Sequence, residues 1–181
     1  MTLRIADGLP RLRRARAFRV LRQAIAGGHR TWFRVVHFSV MTNHLHLIVE
    51  ADDRQALARG MQGLKIRMAK GLNRIWQRKG SVFSERYHAA EIGSPTQARN
   101  TLLYVLNNAR KHAGRREGGL PRRWVDPFSS ARQLDGWRQP VRPEEEGVVV
   151  EPRSWLLRSG WRKRGLLDAH AVPTRGPPGG S

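Results

Sequence analysis

The chain has no cysteine among its 181 residues. Disulfides, thiolate zinc sites and cysteine nucleophiles are therefore excluded, and the reducing cytoplasm is the natural setting. Acidic residues are scarce: 14 Asp and Glu stand against 34 Lys and Arg, a formal charge of +20. Such an excess repels itself unless a polyanion neutralises it. Nucleic acid is the expected partner, with an anionic membrane surface as the rival. Long apolar runs are missing too. None reaches the roughly 18 residues that would span a bilayer. Arg19, Arg22 and Gln23 interrupt the stretch where a signal peptide would carry its apolar core. The expectation is a cytoplasmic protein without a membrane partner. Aromatics are few, and only two tyrosines exist, Tyr87 and Tyr104. Any tyrosine chemistry must use one of them.

What is present is a regular alternation of strand-like and helix-like patterns. Thr2 to Ile5 reads as a short strand. Gly8-Leu9-Pro10 introduces a helix with Phe18, Leu21 and Ile25 at helical spacing, ended by Gly27-Gly28. "WFRVVHFSV" (32–40) and "HLHLIVEA" (44–51) read as two strands joined by a turn at Thr42-Asn43. Asp52 or Asp53 caps a long helix whose core stripe is Leu57, Met61, Leu64, Met68, Leu72 and Ile75, and Gly80 is expected to stop it. Arg67, Lys70, Arg74 and Arg78 repeat with the same steps on another face. "SVFSERYHAAEI" (81–92) is a fourth strand candidate. Ser94-Pro95 then opens a helix that runs to about His112.

The order β-α-β-β-α-β predicts an α+β, ferredoxin-like fold: an antiparallel sheet with helices on one face. An extra C-terminal helix bearing Tyr104 and a basic tail follow. The expected divisions are a folded domain over 1–114, a basic extension over 115–170 and a disordered tail over 171–181. Arg153 to Gly165 could form a short basic helix carrying Trp155, Leu156 and Trp161.

Two stretches carry candidate chemistry. Side chains alternate along a strand, so His44 and His46 share a face with Cα atoms about 6.6 Å apart. Two imidazoles at that separation can converge on one ion. The pattern is short, and ordinary hydrogen-bonded strand histidines give it as well. A three-histidine nucleotide-hydrolase signature fails because Ile48 stands where the third histidine belongs, and Glu50 lies too far along the strand to serve as a third ligand. In "SPTQARNTLLYVLNNARKHAG", Ala98, Leu102, Val105, Leu106 and Ala109 form the apolar face. Thr101, Tyr104, Asn108 and Lys111 form a different, polar one. Tyr87 has the weaker case and is expected to pack.

Together these stretches carry a resemblance. "MTNHLHLIVE" resembles the His-hydrophobic-His strand of the single-tyrosine HUH transposases, the IS200/IS605-like family. "GSVFSERYHA" followed by "YVLNNARKHAG" resembles the tyrosine region of their relatives associated with repetitive extragenic palindromes. "WVDPFSSA" and "SWLLRSGW" look like the C-terminal part of that subgroup. The resemblance implies a single-strand DNA endonuclease and strand transferase with a 5′-phosphotyrosine intermediate. It implies Tyr104 as nucleophile, and His44, His46 and Asn108 as ligands of Mg²⁺ or Mn²⁺. Single-stranded or hairpin DNA is the implied substrate, a homodimer is possible, and the setting would be the nucleoid.

Arg67, Lys70, Arg74, Arg78 and Lys111 are the expected phosphate contacts, although any one such stripe can equally be a solvated helix face. Two features depart from the family's pattern. Ala109 follows Asn108 where relatives commonly carry proline, and Met1 abuts the first strand, which suggests a clipped strand or a misassigned start. Two alternatives remain open: a decayed or domesticated single-stranded nucleic-acid-binding protein on the same fold, and a metal-dependent phosphoesterase that uses water.

Overall fold

The structure is a computed structural model that describes residues 1–84, 87–113, 120–121, 124–144 and 146–173. The expected tail over 171–181 falls largely outside the described residues. Three strands form one antiparallel sheet: β1 (Thr2–Arg4), β2 (Phe33–Val40) and β3 (His44–Ala51), in the order β1-β3-β2. The α+β class and its split βαβ core are as the sequence implies. β3 lies between β1 and β2 and runs antiparallel to both.

The fourth strand differs from expectation. Residues 81–92 form no strand among the described residues. Phe83 and His88 instead meet the first strand through isolated antiparallel bridges, to Ile5 and Thr2. The physical reason is the partner: β1 is three residues long and offers few backbone groups for a ladder.

Helices α1 (Ala15–Ala26) and α2 (Arg54–Ile75) pack on one face of the sheet. Their core meets Leu45 and Leu47 from β3 and Phe38 and Val40 from β2. Helix α1 begins later than Pro10 suggests. Leu12 donates its amide to the Thr42 carbonyl, and Arg13 reaches the Val40 carbonyl at 2.8 Å, so this stretch is spent on cross-chain bonds. Asp53 caps α2, accepting from the Ala56 amide at 2.7 Å. The far end of α2 stops before Gly80. Gln77 takes a left-handed backbone (φ 53°), and the amides of Gln77 and Arg78 return to the carbonyls of Arg74 and Asn73. That is a Schellman closure with glutamine in the place glycine usually fills.

Helix α3 (Pro95–Ala113) packs on the opposite face of the sheet. Its expected apolar residues Ala98, Leu102, Val105, Leu106 and Ala109 are all buried. They meet Val36 and Ile48 from the sheet and Val125, Trp137, Trp161 and Leu167 from the C-terminal segment. The segment after 124 thus builds the second core. It is tied to the first by Arg13, whose guanidinium grips buried Asp126 at 2.7 and 2.8 Å. A one-turn helix α4 (Trp155–Arg158) and a 3-10 turn (Gly160–Arg164) occupy the expected basic helix. No helix among the described residues is long and apolar enough to cross a membrane.

Candidate functional site

His46 stands at the middle of β3, on the face that α3 covers. Its register partners are Thr2 on β1 and Ser39 on β2, so one polar row crosses all three strands. The Nε2 atoms of His44 and His46 lie 3.1 Å apart, and their rings meet edge-on with centroids 4.7 Å apart. The His46 ring also meets Tyr104 edge-on, at 5.1 Å between centroids.

The outer nitrogens of both histidines are held. The Asn43 amide oxygen lies 2.9 Å from His44 Nδ1, and the Thr2 hydroxyl 3.1 Å from His46 Nδ1. A carbonyl oxygen only accepts, so His44 Nδ1 carries the hydrogen and its Nε2 presents a lone pair toward His46. Their 3.1 Å separation is that of an N–H···N hydrogen bond, in which one of the two nitrogens donates. Such outer bonds are the usual means of fixing the tautomer of a metal-ligating histidine.

Asn108 follows Tyr104 by one turn, a spacing that puts the two Cβ atoms roughly 5–6 Å apart. It is 1 % exposed, and neither its amide oxygen nor its amide nitrogen has a hydrogen-bond partner in the protein. A buried polar group left unmet costs about 1–3 kcal/mol. Its amide oxygen is thus available as a donor atom to a ligand. Among the described residues no group of three or more His, Cys, Asp or Glu side chains could hold a metal ion.

Burial raises the pKa of the Tyr104 phenol above its ordinary value of 10. The hydroxyl is thus protonated at neutral pH. Glu50 is occupied elsewhere: its carboxylate accepts the backbone amides of Arg153 and Ser154 ahead of α4, at 2.7 and 2.9 Å. Tyr87 packs against the first core.

The basic residues are not gathered here. Arg67, Lys70 and Arg74 are exposed on α2, on the layer across the sheet from the histidines. Arg78 is tied into the helix end, donating to the Asn73 amide oxygen and the Ser81 carbonyl. Lys111 is exposed, about 10 Å along the α3 axis from Tyr104 at 1.5 Å per residue. The stripe is visible in sequence, but its layer is set by which face of α2 meets the sheet.

Two residues escaped the sequence reading. Ser39 pairs with His46, and its hydroxyl is buried without a partner. His37 is buried with Nδ1 at 3.1 Å from the Ser130 hydroxyl, and burial lowers its pKa to about 4. The period-two pattern His37-Phe38-Ser39 places both on one face of β2 and was the available signal. A cavity of about 770 Å³ opens beside the site, between Ile48, Ile92, Thr101 and Leu157, and reaches Thr2. The tyrosine and the histidines lie outside its lining.

The family model described as "Transposase IS200 like" matches residues 18–108, just over half of the chain. The match spans His44, His46, Tyr104 and Asn108. No curated protein and no solved structure matches.

Proposed function

The chain belongs to the IS200-like transposases, and from that premise we propose a single-tyrosine endonuclease and strand transferase acting on single-stranded, hairpin-forming DNA. The observation that carries this reading is the convergence of Tyr104 on His46, with His44 Nε2 3.1 Å from His46 Nε2. Asn108 supplies an orphaned amide one helical turn away.

His44, His46 and Asn108 would hold a Mg²⁺ or Mn²⁺ ion. The donor set fits: two imidazole nitrogens with fixed outer bonds and one amide oxygen lacking a partner. When bound, such an ion polarises the phosphate and stabilises a leaving oxygen. The rest falls to the chain. Tyr104 Oη forms a bond to phosphorus as the P–O3′ bond breaks, which leaves a 5′-phosphotyrosine and a 3′ oxygen that takes up a proton. The reverse attack by a 3′-hydroxyl re-forms the phosphodiester and frees the phenol, so strand joining needs no ATP. Thr2 and Asn43 hold the imidazoles while this happens.

The likeness of "GSVFSERYHA" and "YVLNNARKHAG" to the palindrome-associated relatives supports a hairpin as the target, met in the nucleoid. The test is incubation with a single-stranded hairpin oligonucleotide and Mn²⁺, followed by a denaturing gel. A covalent protein–DNA adduct that Tyr104→Phe removes is expected. Cleavage without an adduct would replace this reading by a water-using phosphoesterase. Metal-independent binding without cleavage would replace it by a binding protein.

A further inference from the structure

The basic stripe on α2 lies across the sheet from Tyr104, so the positive charge on the tyrosine side must come from elsewhere. It comes from the C-terminal segment. Between Pro152 and Leu167 there are five basic residues and no acidic one. The 3-10 turn of this segment rests on α3 through Trp161, which is buried with Ala98, Leu102 and Leu106. Arg99 of α3, five residues ahead of Tyr104, donates to the Gly165 and Leu166 carbonyls and so fastens the two together.

Within that segment Trp155 stands out. Among the described residues it is the one aromatic side chain more than half exposed, at 52 %. Its ring is seated by Gly160: a Cβ at that position would come within 2.8 Å of the ring, so only glycine permits the approach. The Lys163 ammonium stands over the ring, 4.9 Å from its centroid. Arg158, Lys163 and Arg164 are exposed, while Arg162 is engaged by Asp135. Nearby, Arg99 has its pKa lowered by burial and then by the like charge of Arg138. With no acidic residue between Pro152 and Leu167, this segment carries an excess of positive charge. An exposed ring with a fixed seat among arginines and lysines is the combination that holds a single strand: stacking for a base, cations for its phosphates.

We propose that Trp155, flanked by Arg158, Lys163 and Arg164, is a stacking platform that holds one base of the single-stranded substrate outside the tyrosine site. The base takes the place of the Lys163 ammonium on the ring, and the ammonium moves to the adjoining phosphate. This rests on the single-stranded DNA reading above and adds a docking point to it.

The test is a fluorescence-anisotropy titration of the full chain with a labelled single-stranded oligodeoxynucleotide in Mn²⁺-free buffer. Trp155→Ala is expected to weaken binding roughly fivefold to a hundredfold, and Trp155→Phe far less. The Lys163→Gln/Arg164→Gln double variant should lower the slope of log affinity against log salt by about 1.4. A melting curve monitors folding of each variant, and Trp155→Phe keeps the comparison valid if the alanine variant is unstable. Equal affinity in wild type, Trp155→Ala and Trp155→Phe overturns the platform while leaving the nuclease reading intact. A wild-type chain that binds no single strand and forms no adduct overturns both. Binding to anionic vesicles in preference to DNA, lost in Trp155→Ala, makes the patch a membrane contact and overturns the platform.

Discussion

The ring of Tyr104 meets the ring of His46 edge-on at 5.1 Å between centroids, across the boundary between α3 and β3. Sequence separates these residues widely. They meet because α3 lays its apolar face on Val36 and Ile48, and Ile48 is the next residue on the same face of β3 as His46.

Burial keeps the Tyr104 phenol protonated beyond its ordinary range. Ultraviolet titration at the phenolate band should show a component that ionises above pH 10. With only two tyrosines in the chain, Tyr104→Phe should remove that component. A Tyr104→Phe variant that keeps it would exclude Tyr104 as the group whose pKa burial raises.

Asn108 has no protein partner for either amide atom. In metal-free buffer Asn108→Leu should raise stability by about 1–3 kcal/mol, since it removes an unmet polar group from a buried position. If the proposed metal site is right, Mn²⁺ should raise the melting temperature of the wild type and not that of this variant. A Mn²⁺-induced rise that persists in Asn108→Leu would exclude the amide as a ligand.

Asn43 holds His44 Nδ1 from the turn between β2 and β3. Asn43→Ala should weaken Mn²⁺ binding about tenfold, because a second bond of this kind orients a metal-ligating imidazole. Calorimetric titration reads this directly, and an unchanged affinity would mean the histidine needs no such support.

Arg13 meets Asp126 with two hydrogen bonds, and Asp126 is 1 % exposed. Arg13→Ala leaves a buried carboxylate without its partner and should cost about 3–5 kcal/mol in urea unfolding. An Arg13→Leu/Asp126→Leu pair should recover much of this, because it leaves no buried charge. If the single variant loses less than about 1 kcal/mol, the clamp does not hold the C-terminal segment to the sheet.

His37 gives a pH dependence of definite sign. Burial lowers its folded pKa from the ordinary 6.5 to about 4, with the charge of Asp135 opposing. The unfolded chain therefore binds the proton more readily. The contribution is complete above pH 6.5 and is lost as pH falls toward 4. Between pH 7.5 and pH 5 the loss should be about 2 kcal/mol. His37→Gln should flatten that part of the profile, and an unflattened profile would assign the acid sensitivity to another group.

Much of this molecule was legible in its sequence. Periodicity alone placed β2, β3, α2 and α3, because each carries an uninterrupted apolar face of its own period. It also placed Tyr104 and Asn108 on the polar side of α3. The fourth strand was not legible in this way. Whether residues 81–92 form a ladder depends on β1, and β1 is too short to sustain one. The orientation of charge was equally hidden. The sequence determined that α2 carries a basic stripe. Only the packing of its apolar face against the sheet put that stripe on the far side from the tyrosine, and left the tyrosine side to the arginines and lysines around Trp155. A strand fixes which of its residues share a face, but the partner each face meets is settled by the whole core. His44 and His46 were therefore a pair from the start, and the fold decided that they face Tyr104.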